Sequence, residues 1–461
     1  MKRQQTLVFF AGLDIKALEK YSKALLWSGF ALLLLTFILI DSSYTWPSAW
    51  ALLPVLATAL IMLAQRSQSI LTAHPIAQWL GDRSYSLYLW HWPIMVALYF
   101  AGLDANWLWI SAGLALSLLL GDLSYRLIET PTRLYFSKAS AGKEILGIGA
   151  LVMLVGVSAV SARLFVFEGR LAPEAELAAA ENANGPSVGT CWADGSGKGE
   201  YNCLLSPVRK TLLNKPLILK GDSHSLHLRS AVIASLNNSK YTGLEYWGMS
   251  GCHSLENAMH SQASGRNPVF CQAINTDFYT RVTKETDNTI VIIDRTNLSV
   301  HGFNGKDEKN NGPWITFEHA PKDRNDFEDK FQTEYVKSMC KLSHNNTLFL
   351  MRPTPEMIVN PPLQLSRNII FGRGNEDIKI TLKEYHQRNT LVWQAQDLAA
   401  EQCGVKILNP LPYLCDDQYC YGSKNGRPLY YDDDHLSEYG NKFLVPMFEQ
   451  VFLDQQSSLS Q

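Results

Sequence analysis

Leu217-Ile218-Leu219-Lys220-Gly221-Asp222-Ser223-His224-Ser225 is the stretch from which the fold can be read. A short apolar run stops at Gly-Asp-Ser, and apolar residues then recur at helical intervals from Leu226 to Leu236. The pattern predicts a strand, a tight turn and a helix start, with Ser223 at the changeover. A hydroxyl there stands at the C-terminal edge of a sheet beside a helix N-terminus, which suits a nucleophile whose attack creates negative charge. Asp and Ser before a helix are also ordinary caps, so the serine needs company. Asp432-Asp433-Asp434-His435-Leu436-Ser437, ahead of a helix-like run from Glu438 to Phe448, supplies it. A serine needs an imidazole to take its proton and a carboxylate to hold that imidazole in the right tautomer. His435 and Asp432 are the candidates.

Working outward, apolar runs recur at Pro216 to Lys220, Gly243 to Trp247, Thr289 to Ile293, Thr347 to Met351 and Val405 to Leu408. Helical patterns lie between them, best at Leu226 to Leu236, Asp326 to Leu342 and Leu382 to Gln402. Strands alternating with helices predict a parallel α/β sheet. The loops Ser299 to Arg324 and Pro353 to Asp377, rich in Gly, Pro and Asn, are expected to overhang the site. His224, His227 and His253 read as surface residues or as supports behind it.

The first third differs in kind. Apolar segments at Ala24 to Ile40, Ala49 to Ala64, Tyr85 to Ala101, Trp107 to Leu120 and Ile145 to Phe167 predict about five transmembrane helices. The Leu7 to Leu13 run is too short to cross a bilayer, and the N-terminus does not read as a signal peptide. Basic residues gather in the N-terminal segment, at Arg66 and Arg83, and at Arg126, Arg133, Lys138 and Lys143, while Asp41 to Ser48 and Gly102 to Asn106 carry none. The positive-inside rule then puts the charged loops in the cytoplasm and everything after Glu168 on the other side. All eight cysteines fall between Cys191 and Cys420, which fits an oxidising compartment. Cys191 with Cys203, Cys252 with Cys271 and Cys415 with Cys420 are close enough for local bridges, leaving Cys340 and Cys403 for a longer one. No CxxC pair supports zinc, so no metal is expected. A formal charge of -2 gives no basic footprint for nucleic acid.

Two membrane stretches exceed what hydropathy requires. Gly81-Asp82-Arg83-Ser84-Tyr85-Ser86-Leu87-Tyr88-Leu89-Trp90-His91-Trp92-Pro93 places His91 inside an apolar helix, and Tyr125-Arg126-Leu127-Ile128-Glu129-Thr130-Pro131-Thr132-Arg133 makes a charged turn. An aromatic interfacial belt and a basic anchor are the plain alternatives. These runs closely resemble the end of the acyltransferase-3 membrane family, with His91, Arg126 and Glu129 as motif residues. Gly221 to His224 and Asp432 to His435 resemble the SGNH hydrolase superfamily, an α/β flavodoxin-like fold. The order resembles cell-wall and O-antigen O-acetyltransferases.

That resemblance implies the C-terminal part of an acyltransferase-3-like membrane domain at 1–144, a linking transmembrane helix and linker at 145–189, and a periplasmic SGNH-like domain at 190–461. The family's histidine near its first membrane helix has no counterpart, and His91 lies in a different motif. The resemblance further implies Ser223 as nucleophile, His435 as base, Asp432 as its orienter, and Gly251 in the Ser250-Gly251-Cys252 turn as an oxyanion donor. The third block of the family reads Gly-x-Asn; here Asp294-Arg295-Thr296-Asn297 follows Val291-Ile292-Ile293, which makes Asn297 the second oxyanion candidate.

The implied activity is O-acetyl transfer to a surface polysaccharide such as lipopolysaccharide O-antigen, or to a lipid-linked glycan, at the bacterial inner membrane. No cofactor is expected to stay bound; acetyl-CoA is the ultimate acyl donor, and a further protein could supply the missing helices. An SGNH esterase that removes acetyl groups and a non-catalytic glycan-binding remnant are the competing readings.

Overall fold

The computed structural model describes residues 20–40, 49–66, 68–137, 141–164, 171–185, 202–205, 215–236, 241–304 and 312–453. The chain divides into two compact units, Met1–Leu164 and Phe165–Gln461. The expected Leu7 to Leu13 run and Cys191 lie outside the described residues.

The first unit is helical: α1 (Ser22–Leu39), α2 (Leu52–Leu63), α3 (Pro75–Phe100), α4 (Trp107–Ser124), α5 (Thr130–Phe136) and α6 (Ala141–Leu164). Ser22–Leu39, Trp107–Phe136 and Ile145–Ala162 are by themselves long and apolar enough to cross a membrane. Of the other two expected segments, α2 with its leading turn is shorter, and α3, at 26 residues, carries Asp82, Arg83 and His91. Small residues set the pairing. Gly29 of α1 lies against Ala57 and Ile61 of α2, and Gly113 and Gly121 of α4 admit Leu98 and Leu87 of α3 so closely that a Cβ would overlap them. A π-helical turn, Tyr125–Glu129, joins α4 to α5.

In the second unit, α7 (Pro173–Ala180) precedes β1 (Asn202–Leu205), β2 (Leu217–Gly221), α8 (Ser223–Ser235), β3 (Leu244–Gly248), β4 (Ala258–His260), α9 (Gln272–Val282), β5 (Thr289–Ile293) and α10 (Thr296–His301). Then come β6 (Ile315–Phe317), α11 (Arg324–Ser343), β7 (Thr347–Met351), α12 (Pro361–Ile370), β8 (Lys379–Thr381), α13 (Leu382–Cys403), β9 (Lys406–Leu408), β10 (Tyr419–Tyr421) and α14 (Val445–Leu453). Six strands form one sheet in the order β1-β3-β2-β5-β7-β9. All its pairs are parallel except β1 with β3. The five expected strands are therefore its parallel part, and β1 is an antiparallel edge that the sequence pattern did not announce.

Alternation along β2 divides the core. Leu217 and Leu219 pack with Leu228, Val232 and Phe448 on one face, while Ile218 packs with Phe278, Ile292 and Phe331 on the other. Both faces are covered, as parallel sheets require. The two expected overhanging loops carry elements of their own: Pro353 to Asp377 contains α12, and Ser299 to Arg324 contains β6, which pairs antiparallel with β4. Bridges join Cys252 with Cys271, Cys340 with Cys403 and Cys415 with Cys420, and Cys203 is also disulfide-bonded.

Candidate active site

Gly221 ends β2, pairing with Gly248 of β3 on one side and Ile293 of β5 on the other. A Cβ here would fall 1.8 Å from the Ile293 carbonyl oxygen, so only glycine lets the three strand ends close. Asp222 then caps α8: one carboxylate oxygen accepts from His224 N at 2.9 Å and the other from Arg295 N at 2.7 Å. The cap reading of this aspartate is correct, and it frees the next residue. Ser223 is the first residue of α8 and half-buried, so its N–H has no acceptor within the helix.

From 212 residues downstream, His435 brings Nε2 to 2.8 Å from Ser223 Oγ. Its Nδ1 lies 2.8 Å from Asp432 Oδ2, and Asp432 Oδ1 accepts from the backbone N–H groups of Asp434 at 3.0 Å and His435 at 2.7 Å. One carboxylate thus fixes both the ring and the turn that carries it.

A second carboxylate, absent from the sequence-based candidates, stands behind the first. Asp434 Oδ2 is 2.9 Å from His224 Nε2 and 3.0 Å from Arg295 Nη1, and Oδ1 is 3.5 Å from His435 Nδ1. The chain of charge continues: Arg295 Nε meets Glu356 Oε1 at 2.5 Å, and Arg388 Nε meets Glu356 Oε2 at 2.8 Å. Burial works to lower the His435 pKa, but the charges of Asp434 and Asp432 outweigh it and hold the imidazole at about 9. Burial likewise disfavours the Asp434 carboxylate, yet His435 and Arg295 keep its pKa well below the usual range. His227 is different. Its ring lies 4.3 Å from that of His435 and stacks on Tyr431, whose hydroxyl is 3.2 Å from Nε2, and burial drives its pKa far down, so it stays neutral. His224 and His227 are therefore supports behind the site rather than surface residues.

The turn after β3 holds Gly251 at φ +69°, a left-handed conformation that favours glycine. Asp294 grips this loop: its carboxylate accepts from Ser254 N and Ser254 Oγ, both at 3.0 Å. Lys220 is fully buried nearby, and burial lowers its proton affinity while raising that of Asp294. Asn297 is 1% exposed in α10, and its carboxamide nitrogen donates to Asn389 Oδ1 of α13 at 2.6 Å. His253 is buried too, and burial lowers its pKa to about 3.

In the helical unit, Glu129 accepts from Ser86 Oγ at 2.6 Å and pairs with Arg133 at 2.6 Å. Asp122 pairs with Arg83 and, at 2.9 Å, with Arg126. Arg126 and Glu129 thus belong to one polar seam between the two motifs, whereas His91 stands apart from it, its ring 6.5 Å from Tyr88. Cys252, His260 and Cys271 approach as metal ligands would, but the two sulfurs are bonded to each other. His224, Asp434 and His435 also cluster, with Arg295 already seated on Asp434.

A family model described as an SGNH domain (fused to AT3 domains) matches residues 190–450, and one described as an acyltransferase domain matches residues 7–126. The O-acetyltransferase OatA of Staphylococcus aureus, in strains NCTC 8325 / PS 47 and COL, is 33% identical over 123 residues, 25% of this chain. The matched chain spans 20% of the length of those relatives. The periplasmic domain of a lipopolysaccharide acetyltransferase from Salmonella ser. Paratyphi A is 12% identical with a TM-score of 0.39, covering 59% of this chain and 92% of that one. Est24, a carbohydrate acetylesterase from Sinorhizobium meliloti, is 13% identical with a TM-score of 0.29, covering 53% of this chain and 100% of that one.

Proposed function

Because the chain belongs to the family of SGNH domains fused to acyltransferase-3 domains, we infer that it is an O-acetyltransferase working through an acyl-serine on a cell-surface glycan. The observation that carries this reading is the unbroken contact chain Ser223–His435–Asp432, at 2.8 Å for each link.

In the first half-reaction His435 Nε2 takes the Ser223 proton as Oγ attacks the carbonyl carbon of the acetyl donor. The tetrahedral oxyanion forms beside the Ser223 N–H at the start of α8 and the Gly251 N–H of the neighbouring turn. Its collapse expels the donor's leaving group with the proton from His435, leaving acetyl on Ser223. In the second half, a glycan hydroxyl gives its proton to His435 and attacks the acetyl carbon, and Ser223 departs with that proton. Asp432 keeps the ring oriented throughout.

The acetyl donor is acetyl-CoA as the ultimate source, and the acceptor is a sugar hydroxyl of a polysaccharide such as O-antigen. The protein is multi-pass in the bacterial inner membrane, with the α/β unit in the periplasm. The cysteine bridges and the run of basic residues on alternate loops support that placement. The match of residues 7–126 to an acyltransferase model favours transfer over hydrolysis.

The test uses full-length protein in detergent with p-nitrophenyl acetate, with and without glycan, beside Ser223→Ala. Serine-dependent release that glycan accelerates, with acetylated sugar as product, is expected. Release to water alone would make it an esterase, and no serine dependence would end the catalytic reading.

A further inference from the structure

Within the α/β unit a cavity of about 810 Å³ opens between the β4–β6 pair and α11, walled by Met259, Ala263, Ile315, Pro321 and Phe327 and reached by Arg266. Its size is that of a small-ligand site, roughly 300 to 1,000 Å³. The walls are chiefly apolar, so the charge at the inner end matters. Arg266 Nη1 donates to Ser250 O at 3.0 Å, and its guanidinium lies over the rings of Phe270 at 4.7 Å and Trp314 at 5.8 Å. The same group is pressed against Gly251, where a Cβ would come within 3.0 Å of it. Arg266 is therefore the link between the cavity wall and the turn that carries Gly251.

The other charged groups at its wall are already engaged. Arg324 pairs with Glu328 at 2.6 Å, and Asp323 caps α11 by accepting from Asp326 N at 2.9 Å. His260 is neutral, its pKa lowered by burial to about 4. Among the described residues no carboxylate pairs with Arg266. A fixed, planar, half-buried cation with no counterion among the described residues suits a carboxylate or phosphate.

We propose that this cavity is an acceptor subsite, binding a sugar that carries an anionic group, carboxylate or phosphate, on the Arg266 guanidinium. The apolar walls take the C–H face of the sugar ring, and a neighbouring hydroxyl is presented toward Gly251 and Ser223. The subsite's role in transfer rests on the acetyltransferase reading; its binding of anionic sugar does not.

The experiment is therefore a binding measurement on full-length protein carrying Ser223→Ala, in which nothing turns over. Isothermal titration would compare a glucuronic-acid disaccharide, a phosphorylated disaccharide and the neutral disaccharide of the same size. The account expects at least one anionic probe to bind about tenfold or more tightly than the neutral one, with affinity falling as salt rises. Arg266→Gln should abolish that preference. Ala263→Trp, which fills the cavity but leaves Arg266 in place, should block binding of every probe. Equal binding of charged and neutral probes, or anionic binding that survives Ala263→Trp, would overturn the subsite. If Ser223 proved irrelevant to catalysis, these results would still decide the binding claim.

Discussion

In the helical unit, Arg83, Asp122 and Arg126 close on one another, as do Ser86, Glu129 and Arg133, so each charge is answered within a turn or across one helix pair. In the α/β unit the charges run instead as a line, from Arg388 through Glu356, Arg295 and Asp434 to His224 and His435, and the line ends on the half-buried Ser223 hydroxyl. Both regions meet the same cost, since a buried charge must be paired. The closed arrangement holds two helices together. The open one delivers its electrostatic effect to a single reactive atom.

The comparison is most exposed at Ser223. Ser223→Ala should lower acetyl transfer by about 10⁴- to 10⁶-fold without changing the melting temperature of the protein. Asp432→Asn should cost about 10²- to 10⁴-fold, because the ring loses its orienting acceptor while the fold persists. Steady-state rates beside a thermal melt separate these from a folding defect. The bridge between Cys340 and Cys403 closes 63 residues between α11 and α13, so Cys340→Ala with Cys403→Ala should cost about 4 kcal/mol in denaturant unfolding.

The pH dependence sharpens the idea of a directed line. His435 must be neutral to accept the serine proton, and its pKa is raised from 6.5 to about 9, so the rate should climb as pH rises through that range. Asp434→Asn removes a negative charge that favours the imidazolium, and the midpoint of the rate profile should move to lower pH. A midpoint that stays put would mean Asp434 serves packing alone. The smallest effect belongs to the closed arrangement: Ser86→Ala should reduce stability in detergent by about 0.6 kcal/mol and leave the Ser223 chemistry intact.

What the sequence made legible follows the same division. Short apolar runs between helical patterns located five of the six sheet strands, and Asp432 and His435 stand out because imidazole and carboxylate sit three apart on one turn. Asp434 was hidden by its neighbours: in a run of three aspartates, only the turn geometry decides that one is 27% exposed at the ring and another 5% exposed behind it. Arg295 and Glu356 are 61 residues apart, a pairing that no local pattern encodes. Strand β1 is four residues and pairs antiparallel at the edge, where alternation over so short a run carries little signal.

The most direct test of the central claim is mass spectrometry of the Ser223 peptide after brief exposure of full-length protein to acetyl donor. The account predicts one acetyl group on Ser223, removed when glycan is added and recovered on the sugar. Glycan acetylation proceeding at full rate with Ser223 never modified would contradict it.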